Sequence, residues 1–282
     1  MPIAGQAALK TGSIMLRIRL AGDHSKYHCG SAAAAQVIVA ELRRNGEIVT
    51  NDQFDVLVTN GEGSMHHGSA GFRHKMSLIA SAAARDRPAF LINSVWQDNP
   101  HDFDDVLAKC RRVVVREVLS QRAIAQHGVT AEVSPDLSYF APVSRGSAIN
   151  LKSGIAITDF MSREFGGFVR LRSSWAERYQ FLDMREMDWS TLVRSLKTAR
   201  LLLTGRHHAV YAACRARTPF LALSGNSHKI EGIIATAGAD IPVFKKISEL
   251  QAAVERVEDW RSNYDRLFDW FEAQKPWRFE RS

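Results

Sequence analysis

The first half of the chain alternates short apolar runs, rich in β-branched residues, with longer stretches of helical composition. The apolar runs predict four strands, at Ile14 to Leu20, Phe54 to Thr59, Ala89 to Ser94 and Arg112 to Val115. The stretches between them predict three helices, over Ser31 to Arg44, Phe72 to Ala84 and Val118 to His127, the last ended by Gly128. Because this alternation is typical of parallel strands joined by crossover helices, it predicts a Rossmann-like lobe.

The alternation stops at Ser134 to Asn150, a segment rich in Ser, Pro, Gly and Asn that we interpret as a hinge. A second series then predicts strands at Gly154 to Thr158, Tyr179 to Leu182, Leu201 to Thr204 and Phe220 to Leu223. Helices are predicted over Trp189 to Thr198, His208 to Ala216 and Ile230 to Ala237. We therefore divide the chain into an N-terminal lobe, residues 1–145, and a C-terminal lobe, residues 146–282.

The tail from Ser248 to Ala273 places apolar residues at spacings of three or four, which predicts a C-terminal helix. The predicted fold class is α/β, with two Rossmann-like lobes facing across a cleft and a C-terminal closing helix. This is the GT-B type of arrangement, assigned by analogy because strand order does not follow from one sequence.

Charge and cysteine content narrow the choice of partner and compartment. A formal net charge of +7 attracts anions, but no run of five or more basic residues and no nucleic-acid motif occurs. A small anion is therefore favoured over nucleic acid. The three scattered cysteines suggest neither a disulfide framework nor a metal site, and no signal peptide or membrane span is recognisable, so we predict a cytoplasmic protein.

Two glycine-containing turns follow strands of the first lobe. Gly30 and Ser31 open the first helix, where free backbone N–H groups can face an anion and Ser31 can act as the cap; an ordinary strand-to-helix turn is the alternative. The second turn consists of Asn60, Gly61, Glu62 and Gly63. Its glycines allow a ligand to approach the backbone at the carboxyl end of a strand, where open α/β sheets place their binding crevice.

Two further residues of the first lobe are candidates for the same crevice. Arg116 ends a predicted strand and suits a carboxylate or phosphate, although a surface pair with Glu117 is an alternative. Asp136 is either a turn cap or a carboxylate of the cleft. Adjacent histidines at 66 and 67 lack a third ligand at convincing spacing, so no metal site is predicted.

The second lobe contains the most specific segment. A strand, a glycine turn and a helix rich in small residues bring together Arg206, His207 and His208, and the next strand is followed by Asn226 and Lys229. Arg206 and Lys229 can hold anionic oxygens, and a histidine can move a proton near neutral pH.

Together these segments resemble the polysaccharide pyruvyl transferase family, from about Ile14 to Phe244. The resemblance rests on His28 to Ser31, Gly61 to Gly63, Arg116 to Ser120, Asp136 and the Gly-Arg-His-His-Ala signature at Gly205 to Ala209. His28 and Ser31 stand where the family commonly has Asn and Asp, and Glu62 interrupts the glycine loop.

The resemblance implies a phosphoenolpyruvate donor and a sugar, glycan or lipid-linked saccharide acceptor, the last of which would bring the protein to a membrane surface. It implies ketal formation in exopolysaccharide or cell-envelope glycan biosynthesis. Arg116, Arg206 and Lys229 would hold the donor, His208 would deliver a proton, and Glu62 or Asp136 would accept one. No cofactor is expected, since the scheme requires none and the nucleotide-binding glycine motifs are missing from the sequence.

Two other functions remain open at this point. A GT-B glycosyltransferase using a nucleotide sugar would place a diphosphate at the same turns. A non-catalytic protein that binds a glycan or an anion would use the same fold without turnover.

Overall fold

The computed structural model describes residues 15–162, 167–170 and 178–280. The first lobe is built on a sheet of six parallel strands in the order β2-β1-β3-β4-β5-β6. Its strands are β1 Leu16–Ala21, β2 Gly46–Val49, β3 Val56–Glu62, β4 Ala89–Ser94, β5 Arg112–Val115 and β6 Glu132–Val133. Its helices are α1 Cys29–Arg43, α2 Ala70–Ala83, α3 Asp104–Ala108 and α4 Val118–Ala125.

Strands β3 and β4 are buried along their whole length because helices cover both faces of a parallel sheet. One face carries a core centred on Phe72, Met76 and Trp96, and the other a core centred on Ile18 and Ile38. Apolar runs buried on both faces are the reason that these central strands were predictable from the sequence.

The second lobe has a parallel sheet of five strands in the order β10-β7-β11-β12-β13. The strands of this sheet are β7 Ile155–Ile157, β10 Gln180–Phe181, β11 Leu201–Thr204, β12 Phe220–Leu223 and β13 Val243–Phe244. Two further strands, β8 Phe160–Ser162 and β9 Gly167–Val169, form a small antiparallel hairpin. The helices of this lobe are α5 Trp189–Lys197, α6 His207–Ala216 and α7 Lys229–Thr236.

Both sheets follow the same strand order. In each, the first strand of the lobe lies between the second and the third, which gives the doubly wound order 2-1-3-4-5 with a sixth strand added in the first lobe. The order reverses between β1 and β3 in one sheet and between β7 and β11 in the other. Ligands of open α/β sheets bind outside the carboxyl ends of the strands at such a reversal, so the topology points to two facing crevices.

The C-terminal tail is helical, as predicted, but in three pieces: α8 Ile247–Ala253, a 3₁₀ segment Val254–Trp260, and α9 Arg261–Glu272. Helix α9 buries Tyr264, Leu267, Phe268 and Phe271 in the core of the second lobe. The chain then returns to the first sheet, where Trp277 and Phe279 join the core around Ile18 and Phe90. The tail therefore contacts both lobes.

The predicted α/β organisation is confirmed, and most predicted elements agree with the structure within a few residues. Ile14, the predicted start of the first strand, lies outside the described residues. The elements that were not predicted are short: β2, β6, β8, β9, β13 and α3. A run of two to five residues carries too little periodicity to indicate a strand or helix.

Candidate functional site

A cavity of about 230 Å³ lies between the carboxyl ends of the two sheets. Both lobes contribute to its wall, which is formed by His24, Tyr27, His28, Glu62, Gly63, Ser64, Arg206, His207, Asn226 and Lys229. The cavity therefore sits where the two strand-order reversals face each other.

Glu62 is the carboxylate of the first-lobe wall. It ends β3 with φ at +46°, a left-handed backbone conformation that is rare for residues other than glycine. The Ser31 hydroxyl donates to Glu62 Oε1 at 2.5 Å, while the buried Oε2 has no hydrogen-bond partner among the described residues. A strained backbone and an unpaired carboxylate oxygen at a cavity wall are typical of a functional position.

Hydrogen bonds from helix α2 fix the turn that carries Glu62. Lys75 of α2 donates from Nζ to Gly61 O at 2.7 Å and to Ser64 Oγ at 2.8 Å, and burial lowers the pKa of Lys75 to about 8. A Cβ on Gly61 would lie 2.4 Å from Ser94 Oγ, so only glycine fits there. Lys75 was not predicted, although a lysine on the apolar stripe of a helix was a signal for it.

His28 caps helix α1 at the entrance to the cavity. Its Nδ1 accepts from Gly30 N at 3.1 Å and from Ser31 N at 3.2 Å, and burial lowers the pKa of His28 to about 2. The predicted cap, Ser31, is therefore wrong, and the residue that caps α1 is His28. The Gly30 and Ser31 amides bond the neutral imidazole, and Ser31 instead orients Glu62.

A second layer of buried charges lies behind the cavity wall and consists of Arg116, Asp136 and His208. Arg116 is fully buried and donates from Nε to Asn93 O at 2.9 Å, while its Nη2 pairs with Asp136 Oδ2 at 2.8 Å. Burial alone would raise the pKa of Asp136, but the Arg116 guanidinium and His208 hold that pKa well below its usual range. Asp136 is thus an ionised partner of Arg116.

Both alternatives left open for these residues are resolved. Glu117 does not pair with Arg116; it caps α4 by accepting from Leu119 N at 2.6 Å and Ser120 N at 3.0 Å. Asp136 is both a turn cap and an ion-pair partner, because its Oδ1 accepts from Ser138 N at 2.8 Å.

The two adjacent histidines lie in different layers. His207 lines the cavity, and its Nε2 accepts from Arg116 Nη1 at 2.8 Å, which leaves the proton of the neutral ring on Nδ1. His208 is fully buried, with Nε2 3.5 Å from Asp136 Oδ2 and 3.9 Å from Glu62 Oε1. A Cβ on Gly30 would lie 2.4 Å from His208 Cβ, so helix α1 packs directly against this ring.

Arg206 lines the cavity, and a bidentate ion pair with Asp159 fixes the orientation of its guanidinium. Its Nη2 donates to Asp159 Oδ2 at 2.7 Å and its Nε to Asp159 Oδ1, and the guanidinium lies 5.4 Å from the centre of the Tyr27 ring. Burial would lower the pKa of Arg206, but Asp159 raises it. Asp159 was not predicted, although it follows β7 at the carboxyl end of the sheet, where the same rule had indicated Arg116.

Lys229 is the second cation of the wall. It begins α7, and its Nζ donates to Asn226 Oδ1 at 2.7 Å. Burial, assisted by repulsion from Arg116, lowers the pKa of Lys229 to about 7. At neutral pH this ammonium can therefore both hold an anion and release a proton.

The ligand atoms of Asp136, His207 and His208 lie within 4.8 Å of one another, close enough to consider a metal ion. Arg116, however, contacts both Asp136 and His207 at 2.8 Å, so a cation there would meet a buried guanidinium. The Asp136 carboxylate is already paired with Arg116, so we do not assign a metal site to this cluster.

The predicted site residues thus form two groups. The residues that line the cavity are Glu62, Gly63, Arg206, His207, Asn226 and Lys229. The residues that lie behind the wall or shape its turns are Gly30, Ser31, Asn60, Gly61, Arg116, Asp136 and His208.

The sequence model of the polysaccharide pyruvyl transferase family matches residues 11–227. The chain belongs to this family. A polysaccharide pyruvyl transferase is a transferase that acts on a sugar or glycan acceptor, and the predicted family and enzyme class are confirmed. No curated protein matches the sequence significantly.

Solved structures share the fold of this polysaccharide pyruvyl transferase at low sequence identity. One is a Listeria monocytogenes protein described as a UDP-N-acetylglucosamine 2-epimerase, with 8% identity, 91% of each chain covered and a TM-score of 0.61. Another is a functionally uncharacterised Klebsiella pneumoniae protein, with 12% identity, coverage of 78% of this chain and 87% of that one, and a TM-score of 0.53. The predicted two-lobed fold class is confirmed. No helix within the described ranges is long and apolar enough to cross a membrane.

Proposed function

We propose that this chain transfers pyruvate from phosphoenolpyruvate to two hydroxyl groups of a sugar, forming a ketal, in exopolysaccharide or cell-envelope glycan biosynthesis. The observation that carries the proposal is the composition of the cavity wall. Two cations, Arg206 and Lys229, share this small space with Glu62, a carboxylate with an unpaired oxygen.

The size of the cavity supports a small donor. Its volume of about 230 Å³ lies below the roughly 300–1,000 Å³ typical of pockets for drug-sized ligands. Phosphoenolpyruvate places a carboxylate and a phosphate on three carbons, and two separated cations match two anionic groups. A nucleotide sugar would need space for a base and a ribose as well.

The proton transfers that the reaction needs suggest the roles of the residues in the cavity wall. Ketal formation adds a proton to the methylene carbon, and a sugar hydroxyl attacks the resulting oxocarbenium-like C2. We propose that Lys229 donates the proton to the methylene carbon, because Lys229 lines the cavity and its pKa of about 7 suits a group that gives up a proton at neutral pH. Glu62 Oε2 takes the proton of the attacking hydroxyl. Loss of phosphate leaves an oxocarbenium-like C2 again, the second hydroxyl attacks it to close the ring, and the proton of that hydroxyl returns to the neutral Lys229.

His208 was predicted as the acid, and Asp136 as one of two proton acceptors. Since neither lines the cavity, we propose that both act on neighbours: His208 between the carboxylates of Glu62 and Asp136, and Asp136 on Arg116. Arg116 in turn bonds His207 and contributes its positive charge from behind the wall.

The acceptor would reach the cavity from a neighbouring space of about 440 Å³. His28 lines both spaces, so it stands between donor and acceptor. The larger space is also lined by Lys26 and Arg185, which suit the phosphates of a lipid-linked acceptor. We propose a cytoplasmic location, where phosphoenolpyruvate is made, and peripheral contact with the membrane if the acceptor is lipid-linked.

The donor is tested by thermal-shift measurements with phosphoenolpyruvate and with UDP-, GDP- and CMP-sugars. We expect stabilisation by phosphoenolpyruvate that is lost in Arg206→Ala and kept in Arg256→Ala, an exposed arginine paired with Asp259 away from the cavity. Stabilisation by a nucleotide sugar alone would move the protein to glycosyl transfer.

The chemistry is tested with Glu62→Gln, which keeps the size of the side chain. We expect the shift with phosphoenolpyruvate to remain, while acceptor-dependent release of phosphate falls by roughly 10²–10⁴-fold, the usual effect of losing a general base. Wild-type binding without phosphate release, across a panel of acceptors, would favour a non-catalytic binding protein.

A further inference from the structure

We propose a divalent cation site for an ion of the zinc class, formed by His101, Asp104 and His127 on the first lobe. None of the three residues lines the cavity between the lobes. The site is independent of the proposed transfer reaction, and it would stand if that reaction were disproved.

The three side chains converge from two elements. His101 lies in a 3₁₀ turn, His101–Phe103, and Asp104 begins α3, so the two are three residues apart on one helical face. His127 lies just after α4. His101 Nδ1 is 2.6 Å from Asp104 Oδ2, and His127 Nδ1 is 2.5 Å from Asp104 Oδ1.

Binding an ion requires His101 to turn. The three ligand atoms lie within 4.8 Å of one another, but the His101 and His127 rings are stacked with centroids 4.3 Å apart, so His101, whose side chain is 68% exposed, must rotate before both Nδ1 atoms point at one ion. Zinc bonds of about 2.0–2.2 Å in a tetrahedron separate neighbouring ligand atoms by roughly 3.3 Å. The nitrogen–oxygen distances would therefore open by less than about 1 Å, as a side chain can do by rotation.

The burial of the three ligands is graded, which gives the site both a fixed part and an entry path. The side chain of His127 is 5% exposed and packs against the Trp96 ring, with centroids 5.3 Å apart. The side chains of Asp104 and His101 are 32% and 68% exposed. An ion could reach the cluster from solvent, bind His127 and Asp104, and recruit His101.

The donor set selects the class of ion. Two imidazole nitrogens and one carboxylate oxygen suit Zn²⁺ and similar divalent ions, and a water would complete a tetrahedron. Each neutral imidazole would carry its proton on Nε2 and present the Nδ1 lone pair. In the described part of the chain, no lysine or arginine forms an ion pair with Asp104, in contrast to Asp136, whose partner is Arg116.

The ion would join α3 to the end of α4. Helix α3 has five residues and buries Leu107 alone, so its own packing is small. A bound ion would add a link between these two elements of the first lobe and raise the stability of the folded state by mass action.

The test is calorimetric titration with ZnCl₂, at about pH 7.5, of protein stripped with a chelator. We expect one site in the wild type, and a loss of affinity of at least roughly tenfold in His101→Gln and in Asp104→Asn. Both positions are partly exposed, so these variants should fold. Co²⁺ titration followed by visible absorption should give a tetrahedral spectrum in the wild type and not in the variants.

Two matched controls decide between outcomes. His74→Gln removes an exposed histidine of α2, and His67→Gln removes one of the adjacent pair in which His66 Nδ1 and His67 Nδ1 are 2.8 Å apart. Both should bind zinc like the wild type. The proposal is overturned if wild type binds no more tightly than His101→Gln, which would leave a hydrogen-bonded triad without metal, or if only His67→Gln abolishes binding.

Discussion

Each lobe contains one buried arginine held by an aspartate, and the two pairs differ in what surrounds them. Arg116 and Asp136 have side chains only 1% and 0% exposed, and Arg116 also bonds Asn93 and His207. Arg206 and Asp159 form a bidentate pair at the cavity wall, with side chains 3% and 13% exposed. The same kind of pair thus lies behind the cavity wall in the first lobe and at the cavity wall in the second.

The difference separates stability from binding. A pair enclosed on all sides has no water to replace a lost partner, so its removal should act mainly on folding. A fork at a cavity wall keeps its geometry for a ligand, so its removal should act mainly on affinity. The following substitutions test this separation.

The largest effect is expected for Arg116→Met, which leaves the Asp136 carboxylate buried without its partner. Breaking a buried pair in this way costs about 3–5 kcal/mol of unfolding free energy. Urea denaturation measures the loss. The double variant Arg116→Met with Asp136→Leu should recover most of it, and a single-variant loss below about 1 kcal/mol would contradict the supporting role.

A smaller effect is expected at the cavity wall. Arg206→Lys and Asp159→Asn each disrupt the bidentate pair, and charge-assisted hydrogen bonds contribute about 1.5–3 kcal/mol each. If the proposed donor is correct, KM for phosphoenolpyruvate should rise roughly 10- to 100-fold in steady-state assays. Arg116→Lys should lower the urea midpoint of unfolding and should raise KM less than Arg206→Lys does. Equal effects on KM at both arginines would remove the distinction.

The smallest effect is a dependence of stability on pH at Lys229, whose pKa is lowered by burial and by the charge of Arg116. Above the folded pKa of about 7 and below the unfolded value of about 10.4, the unfolded chain binds more protons, so stability rises with pH. The rise between about pH 7 and pH 8 should be near 1 kcal/mol.

Parallel urea titrations of wild type and Lys229→Met isolate this contribution. The rise should be missing from Lys229→Met and present in Lys197→Met, which alters an exposed lysine of α5. If both variants follow the wild type, the pKa of Lys229 is not lowered in the folded protein. The affinity for the proposed donor, phosphoenolpyruvate, should change with pH in the opposite direction to the stability. It should fall as the pH increases through about 7, since the Lys229 ammonium loses its charge.

The sequence predicted the central strands and polar residues at their carboxyl ends, because strands buried on both faces are continuous apolar runs and the carboxyl ends of parallel strands meet at one sheet edge. That rule found Glu62 and Arg116, and it would also have found Asp159. The facing of the two lobes across a cleft was assigned by analogy. The division at residue 145 stays a prediction.

The layering of the site could not be predicted. Adjacent His207 and His208 look equivalent in the sequence, yet one lines the cavity and the other lies against Asp136 and Gly30. Which layer a residue occupies depends on how α6 packs against α1 across the lobes, and a single sequence does not encode that contact visibly. His28 as a cap was missed for a related reason, because histidine is not among the usual capping residues.

The return of the chain to the first sheet constrains how the cleft can open. The polypeptide passes from one sheet to the other after Tyr139, and it passes back between Glu272 and Trp277. The lobes are also joined by direct packing, since Gly30 of α1 lies against His208 and Gly232 of α7 lies against Glu117. The two walls of the cavity are therefore held together by two crossings of the backbone and by contacts between helices, so their relative position is set by more than a hinge.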